Sequence, residues 1–389
     1  YVPSFYRIDY HEDGTIKSRA PAESLIPEKM VVPSYSLPDG PVNRSSILTP
    51  ETEFANKVLV ELGRGCGRSC RFCAAGYVYR PPRAHREPNL VSCVEDALGE
   101  GHPIGLLSAN VSDTPGIEDL TGLIAGRGGA FSVSSLRADS LTGPLIEHLK
   151  KAGQRTLAIA PEAGSERMRR VVNKHLTQEQ IIEAVRLIAG IGDFGLRLYF
   201  LIGLPTETRE DVEEILELVK SIKHHLIKES KTRGKIRQIK LSVNCFVPKP
   251  STPFQWFPME DVSSLKEKQK WLRKALNREG GVKVSFDVPK WAYLQSLLSA
   301  GDRRVGSILL LSHKLNQDWT KVFRFSETNP DFFVHRPRGL NEMLPWDFID
   351  LGIRKEHLIK EYKLALKGIE SDVCHVGECD RCGVCTNRP

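Results

Sequence analysis

Residues 61–83 read Glu-Leu-Gly-Arg-Gly-Cys-Gly-Arg-Ser-Cys-Arg-Phe-Cys-Ala-Ala-Gly-Tyr-Val-Tyr-Arg-Pro-Pro-Arg. Three cysteines, Cys66, Cys70 and Cys73, stand in this stretch at C-x3-C-x2-C spacing. Gly65 and Gly67 lie on either side of Cys66. Glycine tolerates the positive φ angles that a tight ligand-bearing loop requires. Soft thiolate ligands select iron–sulfur clusters, zinc or copper(I) over magnesium or calcium. The stretch therefore predicts a metal-binding loop.

The number of cysteines in this loop indicates which metal centre it holds. A 4Fe–4S cluster takes four cysteine ligands when every iron is bound by protein. Three cysteines without a nearby fourth suit such a cluster with one iron open to another ligand. The alternative is a zinc site completed by a distant residue such as His85, but structural zinc motifs pair their ligands as two C-x2-C halves. We therefore expect a 4Fe–4S cluster.

The C-x3-C-x-aromatic-C motif follows a predicted strand at residues 58–62, and in this position it resembles the signature of the radical S-adenosylmethionine (radical SAM) superfamily. The resemblance implies that Cys66, Cys70 and Cys73 are catalytic cluster ligands and that the open iron binds the amino and carboxylate groups of S-adenosylmethionine. It further implies that one electron cleaves the sulfonium to methionine and a 5′-deoxyadenosyl radical, which abstracts hydrogen from a substrate. Phe72 would lie beside the adenine.

The composition of the 389 residues, 40% hydrophobic and 26% charged, is that of an ordinary globular chain of two or three domains. No run of about 18 apolar residues predicts a membrane helix, and the first residues show no secretory signal pattern. Because the chain opens on Tyr1, we expect an upstream segment to be missing. Cysteines clustered at ligand spacing without a secretory signal indicate a reducing compartment, so we expect a cytoplasmic protein.

The formal net charge is +7, which permits a nucleic-acid partner without requiring one. The excess is concentrated between residues 223 and 240, in Lys228, Lys231, Arg233, Lys235 and Arg237. Such a run is usually a solvated helix end and loop. It is also suited to hold RNA phosphates at a distance from the reacting centre.

Strand-like and helix-like segments alternate from residue 51 to about 290, which indicates a parallel α/β architecture. Six strands are expected at residues 58–62, 104–109, 130–134, 156–160, 196–202 and 239–243, with an edge strand at 282–286. Thr177 and Thr208 are expected helix N-caps, and Gly190 is expected to end the helix that begins after Thr177. Six such units suit the partial (β/α)6 TIM-like barrel that the resemblance to the radical SAM superfamily implies, better than a closed eight-fold barrel. Residues 1–50 form an expected N-terminal connector, 51–290 the barrel, 291–370 a helical extension and 371–389 a cysteine-rich tail.

In TIM-type barrels the chemistry lies at the carboxyl ends of the strands. The polar and glycine-rich segments at these ends resemble those of radical methylthiotransferases. The resemblance implies cofactor-binding roles for Ser108, Asn110, Arg137, Glu162, Ser165, Gly203, Phe246 and Val247. Local structural roles are open as well: a polar turn at Ser108 and Asn110, an Arg137–Asp139 ion pair, a helix N-cap at Ser165, and a tight turn at Gly203.

A second cysteine group ends the chain. Cys374, Cys379, Cys382 and Cys385 stand at C-x4-C-x2-C-x2-C spacing, so four thiolates are available to surround one metal centre. The C-x2-C-x2-C run is close to ferredoxin spacing. We expect a second, auxiliary 4Fe–4S cluster, with zinc as the alternative.

Motifs along nearly the whole chain resemble one largely uncharacterised bacterial radical SAM family that carries a cobalamin-binding-like domain upstream. They lie at residues 64–66, 73–83, 161–164, 203–208, 246–256, 301–304 and 344–347 and at the terminal cysteines. The chain lacks the upstream domain, which leaves a cobalamin cofactor in doubt.

The resemblance implies a reductant such as a flavodoxin or ferredoxin. The methylthiotransferase motifs favour a macromolecular substrate, RNA or a ribosome-associated protein. The alternatives are a small-molecule substrate of tetrapyrrole or cofactor type, and a non-catalytic iron–sulfur electron carrier or scaffold.

Overall fold

The structure is a computed structural model, and it describes residues 2–32, 40–52, 54–230, 238–377 and 379–385. The strands are β1 (Tyr6–Tyr10), β2 (Ile16–Pro21), β3 (Met30–Val31), β4 (Val58–Glu61), β5 (Gly63–Arg64), β6 (Arg83–Ala84), β7 (Ile104–Leu107), β8 (Phe131–Val133), β9 (Thr156–Glu162), β10 (Gly195–Ile202), β11 (Ile239–Cys245), β12 (Val282–Phe286) and β13 (Ile349–Asp350).

The α-helices alternate with the central strands and then follow one another. They are α1 (Glu87–Gly99), α2 (Ile117–Gly126), α3 (Gly143–Lys151), α4 (Glu166–Val171), α5 (Gln178–Ile191), α6 (Arg209–Glu229), α7 (Val262–Leu276), α8 (Pro289–Ala300), α9 (Val305–Lys314), α10 (Trp319–Phe325), α11 (Asp331–Val334) and α12 (Lys355–Leu366). None of the helices that the structure describes is long and apolar enough to span a membrane.

Two parallel sheets form the barrel wall. The first has the order β4–β7–β8, and the second has the order β9–β10–β11–β12. A parallel bridge between Leu136, just beyond β8, and Ile159 of β9 joins them. The expected partial barrel is confirmed. The predicted edge strand is β12, which pairs in parallel with β11 and adds a seventh strand to the wall.

One face of each sheet packs against the helices. On β10 the side chains of Leu196, Leu198 and Phe200 are fully buried in the main core, together with apolar residues of α5 and α6. Their neighbours Arg197 and Tyr199 are partly exposed, as strand alternation requires. The helix-facing side of the sheet therefore forms the core that stabilises the fold. The opposite, inner side of the wall is partly exposed at these positions.

Both predicted helix starts are confirmed. Thr177 and Gln180 form a capping box at α5, and Thr208 and Asp211 form another at α6. In each box the threonine hydroxyl accepts the N–H of the third helical residue, which satisfies an otherwise unpaired donor. The expected helix end at Gly190 is wrong, because α5 continues to Ile191.

The N-terminal connector packs against the C-terminal extension. The connector contains an antiparallel hairpin, β1–β2, and its strand β3 pairs in parallel with β13. Arg303 donates to the carbonyl of Tyr6 at 2.9 Å, and Arg304 donates to the carbonyl of Gly14 at 2.9 Å. These contacts attach the two ends of the chain to each other. The domain boundaries themselves stay a prediction.

A buried ion pair attaches the cysteine loop to α12. The Arg71 side chain has no exposed surface, and its Nε donates to Glu361 Oε2 at 3.0 Å. Its other nitrogens donate to the carbonyls of Arg170, Val171 and Ile369 at 2.8–3.1 Å. Each of the three nitrogens of this guanidinium therefore donates to at least one acceptor, as a buried charge requires.

Replacing Glu361 with alanine is expected to lower the free energy of unfolding by roughly 3–5 kcal/mol, because Arg71 would keep an uncompensated buried charge. Urea unfolding followed by circular dichroism measures the change. The matched control is Glu356→Ala on the same helix, where the side chain is exposed and has no such partner. The control is expected to change stability by no more than about 0.5 kcal/mol. Equal effects of the two substitutions would contradict the assigned role of the ion pair.

Candidate active site

The cysteine loop begins directly after β4. The short antiparallel pair β5–β6 closes its base, with Gly63 opposite Ala84 and Arg64 opposite Arg83. Gly65 has a φ of +81°, and a Cβ atom at this position would lie 2.5 Å from the carbonyl oxygen of Tyr79. The glycine is therefore required both by the backbone conformation and by the close approach of the two chain segments.

The three thiols of this loop lie in one another's electric field. Burial, and then the neighbouring Cys70 and Cys66, raise the pKa of Cys73 to about 11. Burial also raises the pKa of Cys66, while the positive charge of Arg137 opposes that shift. Thiolates are the metal-binding form of cysteine, so positive charge near this loop favours the ligand form.

An ion-pair network surrounds the loop. Arg68 lies between Cys66 and Cys70 in sequence, and it binds both carboxylate oxygens of Asp113 at 2.6 Å. Its third contact is with Asp139 at 3.1 Å, and Asp139 also receives two hydrogen bonds from Arg137. Asp113 follows β7 and Asp139 follows β8, so the network fixes the loop to the ends of two barrel strands. Arg68 and Asp113 were not among the predicted site residues, although the position of Arg68 among the cysteines was a signal.

The polar segment after β7 leaves one buried donor without a partner. Ser108 Oγ hydrogen-bonds to the main chain of Asn110, as a polar turn predicts. Asn110 is buried, and its Oδ1 accepts from Ser112 at 3.0 Å. No residue that the structure describes accepts a hydrogen bond from its Nδ2. A buried amide donor of this kind fits a site for a ligand carboxylate or carbonyl.

The segment after β9 is held by local contacts. Glu162 has a φ of +69° and accepts from Lys174 Nζ at 3.0 Å. Ser165 is the N-cap of α4, and its hydroxyl also donates to Asp211 at 2.6 Å. The N-cap alternative for Ser165 is thus observed, and the cofactor-binding roles of Glu162 and Ser165 stay predictions.

Apolar side chains cover the loop on the side of β10 and β11. Phe72 is partly buried and packs against a cluster that contains Phe246 and Leu204. Val247 is buried in the main core. Gly203 has a φ of +78°, and a Cβ atom there would lie 2.8 Å from Leu265 of α7. The turn at Gly203 is therefore as tight as the structural alternative predicts, while adenine contacts from these residues stay predictions.

The C-terminal cysteines lie beside the first cysteine loop. The N–H of Cys374 donates to the carbonyl oxygen of Gly67 at 2.7 Å, and a Cβ atom on Gly67 would lie 3.3 Å from the Cys374 carbonyl. Cys382 is buried, and its carbonyl accepts from Arg354 N–H at 2.9 Å. In the part of the chain that the structure describes, no three His, Cys, Asp or Glu side chains are grouped as ligands of a single metal ion.

Arg80 connects the two cysteine groups. The residue is buried, its Nη2 donates to Ser69 Oγ at 2.7 Å, and its Nε donates to the Gly76 carbonyl at 2.6 Å. The same side chain hydrogen-bonds to Cys382, and its Nη1 lies 3.4 Å from His357 Nε2. Burial, and then the charge of Arg80, lower the pKa of His357 to about 4, so this histidine is neutral at pH 7 and able to accept a hydrogen bond.

Residues 60–219, which contain the cysteine loop and the strands from β7 to β10, match the family model described as the Radical SAM superfamily. The chain therefore carries a radical SAM domain over these residues.

Among individual proteins, the chain is 34% identical over 287 residues to the uncharacterized protein MJ0966 of Methanocaldococcus jannaschii. The matched residues make up 73% of this chain and 60% of that protein. The chain is 26% identical over 185 residues to the tRNA-2-methylthio-N(6)-dimethylallyladenosine synthase of Desulforamulus reducens. This match covers 43% of this chain and 40% of the synthase. A solved structure of Streptococcus suis SuiB bound to S-adenosylmethionine aligns with a TM-score of 0.41 at 14% identity, covering 59% of this chain and 49% of SuiB. The chain thus spans two to three fifths of the length of the two relatives.

Replacing Arg80 with methionine keeps most of the buried volume and removes the donors to Ser69 and Gly76. We expect the free energy of unfolding to fall by about 1–3 kcal/mol for each acceptor left unpaired. The control is Arg64→Met in the same loop, where the Arg64 side chain is 48% exposed and pairs with Glu61 at the surface. That control is expected to cost less than about 1 kcal/mol. Thermal melts of both metal-free variants, compared with the unmodified chain, provide the measurement, and a larger loss in the control would refute the assignment.

Proposed function

We propose that the chain catalyses reductive cleavage of S-adenosylmethionine at a 4Fe–4S cluster held by Cys66, Cys70 and Cys73, and that it modifies RNA or an RNA-associated macromolecule. The observation that carries the proposal is the partly buried three-cysteine loop inside a matched radical SAM domain. When bound, the cluster and S-adenosylmethionine together supply a 5′-deoxyadenosyl radical. The donor set fits the cluster, because the three thiols share one loop and positive side chains lie beside them.

The residues of the chain have separate tasks in this proposal. Arg68 and Arg137 bring positive charge to the thiolate loop and hold it against the ends of β7 and β8. Asn110 Nδ2 is a buried donor for the cofactor carboxylate. Phe72 and Phe246 form an apolar wall that excludes water from one side of the loop, and the other predicted cofactor contacts, from Ser108, Glu162, Ser165, Gly203 and Val247, complete the site.

The macromolecular substrate is supported by the likeness to transfer-RNA methylthiotransferases and by the net positive charge. Lys228 is exposed at the last turn of α6. The other basic residues predicted to bind phosphates, Lys231, Arg233, Lys235 and Arg237, lie outside the described residues. A reductant such as a flavodoxin or ferredoxin and a cytoplasmic location belong to the same proposal.

We also propose that Cys374, Cys379, Cys382 and Cys385 hold a second 4Fe–4S cluster that relays electrons or anchors substrate. The contact between Cys374 and Gly67 and the buried Arg80 support this role, because they bring the second cysteine group next to the first loop. Zinc is the alternative metal at this group.

The first expected outcome concerns catalysis. Anaerobically reconstituted protein is expected to form 5′-deoxyadenosine from S-adenosylmethionine on addition of dithionite, and a Cys66→Ala/Cys70→Ala/Cys73→Ala variant is not. Chromatography with mass detection of the nucleoside provides the measurement. If the protein holds its cluster and yields no more product than the triple variant, the chain is a non-catalytic iron–sulfur protein and the proposal fails.

The second expected outcome concerns the terminal cysteines. The same triple variant is expected to retain about four irons per chain, the content of one cubane cluster. Iron analysis and Mössbauer spectra measure this, and a further Cys379→Ala/Cys382→Ala change is expected to remove the remaining iron. One zinc and no iron in the triple variant would reject the second cluster.

A further inference from the structure

The inner side of the second sheet carries an unusual set of side chains. Strand residues alternate between the two faces of a sheet, so the neighbours of the buried, helix-facing residues point away from α5, α6 and α7. These inner residues are Arg197, Tyr199 and Leu201 on β10, Lys240, Ser242 and Asn244 on β11, and Lys283 and Ser285 on β12. All of them are partly or fully exposed.

Three of these inner residues form a row of positive charges, which we call the cation row. Arg197 is in register with Lys240, and Lys240 is in register with Lys283. Neighbouring strands lie about 4.8 Å apart, so three cations stand side by side within about 10 Å. Like charges at directly adjacent positions of a sheet are destabilising unless something neutralises them.

The described part of the chain offers the cation row no neutralising group. No ion pair or hydrogen bond joins the side chain of Arg197, Lys240 or Lys283 to any residue that the structure describes. The inner residues of β10, β11 and β12 include no carboxylate. The partly buried Arg68 and Arg137, in contrast, are each paired with aspartates. The cation row therefore differs from Arg68 and Arg137, because its charges have no carboxylate partner among the described residues.

The inner side also differs from the interior of a closed barrel. In a closed TIM barrel the interior is filled with layers of Val, Ile and Leu side chains. Here the layer above the cation row consists of Tyr199, Ser242 and Ser285, which are in register on the same three strands. Hydroxyl groups and an aromatic ring of this kind suit a polar ligand that extends from the cations toward the carboxyl ends of the strands.

The distance to the cysteine end of the barrel gives the size of that ligand. Lys240 lies five residues before Cys245, the last residue of β11. At about 3.3 Å per residue, the cation row is roughly 16 Å below the carboxyl ends of the strands. A ligand that reaches both places is longer than a single amino acid or a single ring.

We propose that the cation row binds a phosphate group of the substrate, about 16 Å from the atom that reacts. A phosphate group offers more negative charge and more acceptor oxygens than a carboxylate, which matches three adjacent cations. The inference rests on the proposed function and names the recognition element of its substrate. Lys240 is also the last residue of the basic stretch 223–240, which continues the positive charge beyond the strand.

The test uses full-length protein without reductant or S-adenosylmethionine, so it is independent of catalysis. The probes are a fluorescently labelled, short single-stranded RNA and inorganic pyrophosphate. The variant is Lys240→Gln/Lys283→Gln, at two exposed positions, with Arg197→Gln added in a third protein. The matched control is Lys266→Gln/Lys270→Gln, which removes two exposed charges from the outer surface of α7.

For RNA, the slope of log affinity against log salt is expected to be shallower by roughly 0.7 in the double and in the triple variant, which is the change for one lost phosphate contact. The control is expected to keep the slope of the unmodified protein. If only pyrophosphate binds, and the double variant loses that binding, the cation row recognises a small phosphorylated substrate, which supports the phosphate site and rejects RNA as its source.

Two results would overturn the inference. One is binding of both probes by the double variant with the affinity and salt dependence of the control. The other is failure of the unmodified protein to bind either probe. Formation of 5′-deoxyadenosine by the unmodified protein in either case would leave the proposed SAM cleavage intact, so the two failures are distinguishable.

Discussion

The buried guanidinium of Arg71 is the constraint on which the arrangement of this site depends. Arg71 stands between Cys70 and Phe72, and its four acceptors come from α4, from α12 and from the segment after α12. A charge without solvent contact requires all of these acceptors at once. The position of one arginine therefore fixes the cysteine loop relative to both the barrel and the C-terminal extension.

Two other arginines extend this arrangement in opposite directions. Arg68 joins the loop to the ends of β7 and β8, and Arg80 joins it to the terminal cysteines. Planar guanidinium groups with several donors suit this task better than lysine, because each can bind two or three acceptors at fixed angles. The loop is thus held from three sides by residues of its own sequence, and its three cysteines remain available to the proposed cluster.

Local patterns in the sequence predicted much of the fold and part of the site. Alternating apolar residues located the barrel strands, and the threonines at positions 177 and 208 located two helix starts, because these signals depend only on neighbouring residues. The ion pair between Arg71 and Glu361 joins residues 290 positions apart, and the cation row depends on the register of three strands. Neither relation is present in any short stretch of sequence. The helix end expected at Gly190 failed for the opposite reason, since packing carried α5 beyond a locally unfavourable residue.

The ion pair of Arg71 also has a consequence for the order in which the protein matures. A ribosome that adds about 5–20 residues per second needs roughly 15–60 s to pass from Arg71 to Glu361. During this interval the nascent cysteine loop has thiols but lacks the carboxylate, the carbonyl of Ile369 and the Cys374 contact that hold it in the finished fold. If the loop holds the proposed cluster, stable insertion of that cluster is therefore expected to follow synthesis of α12.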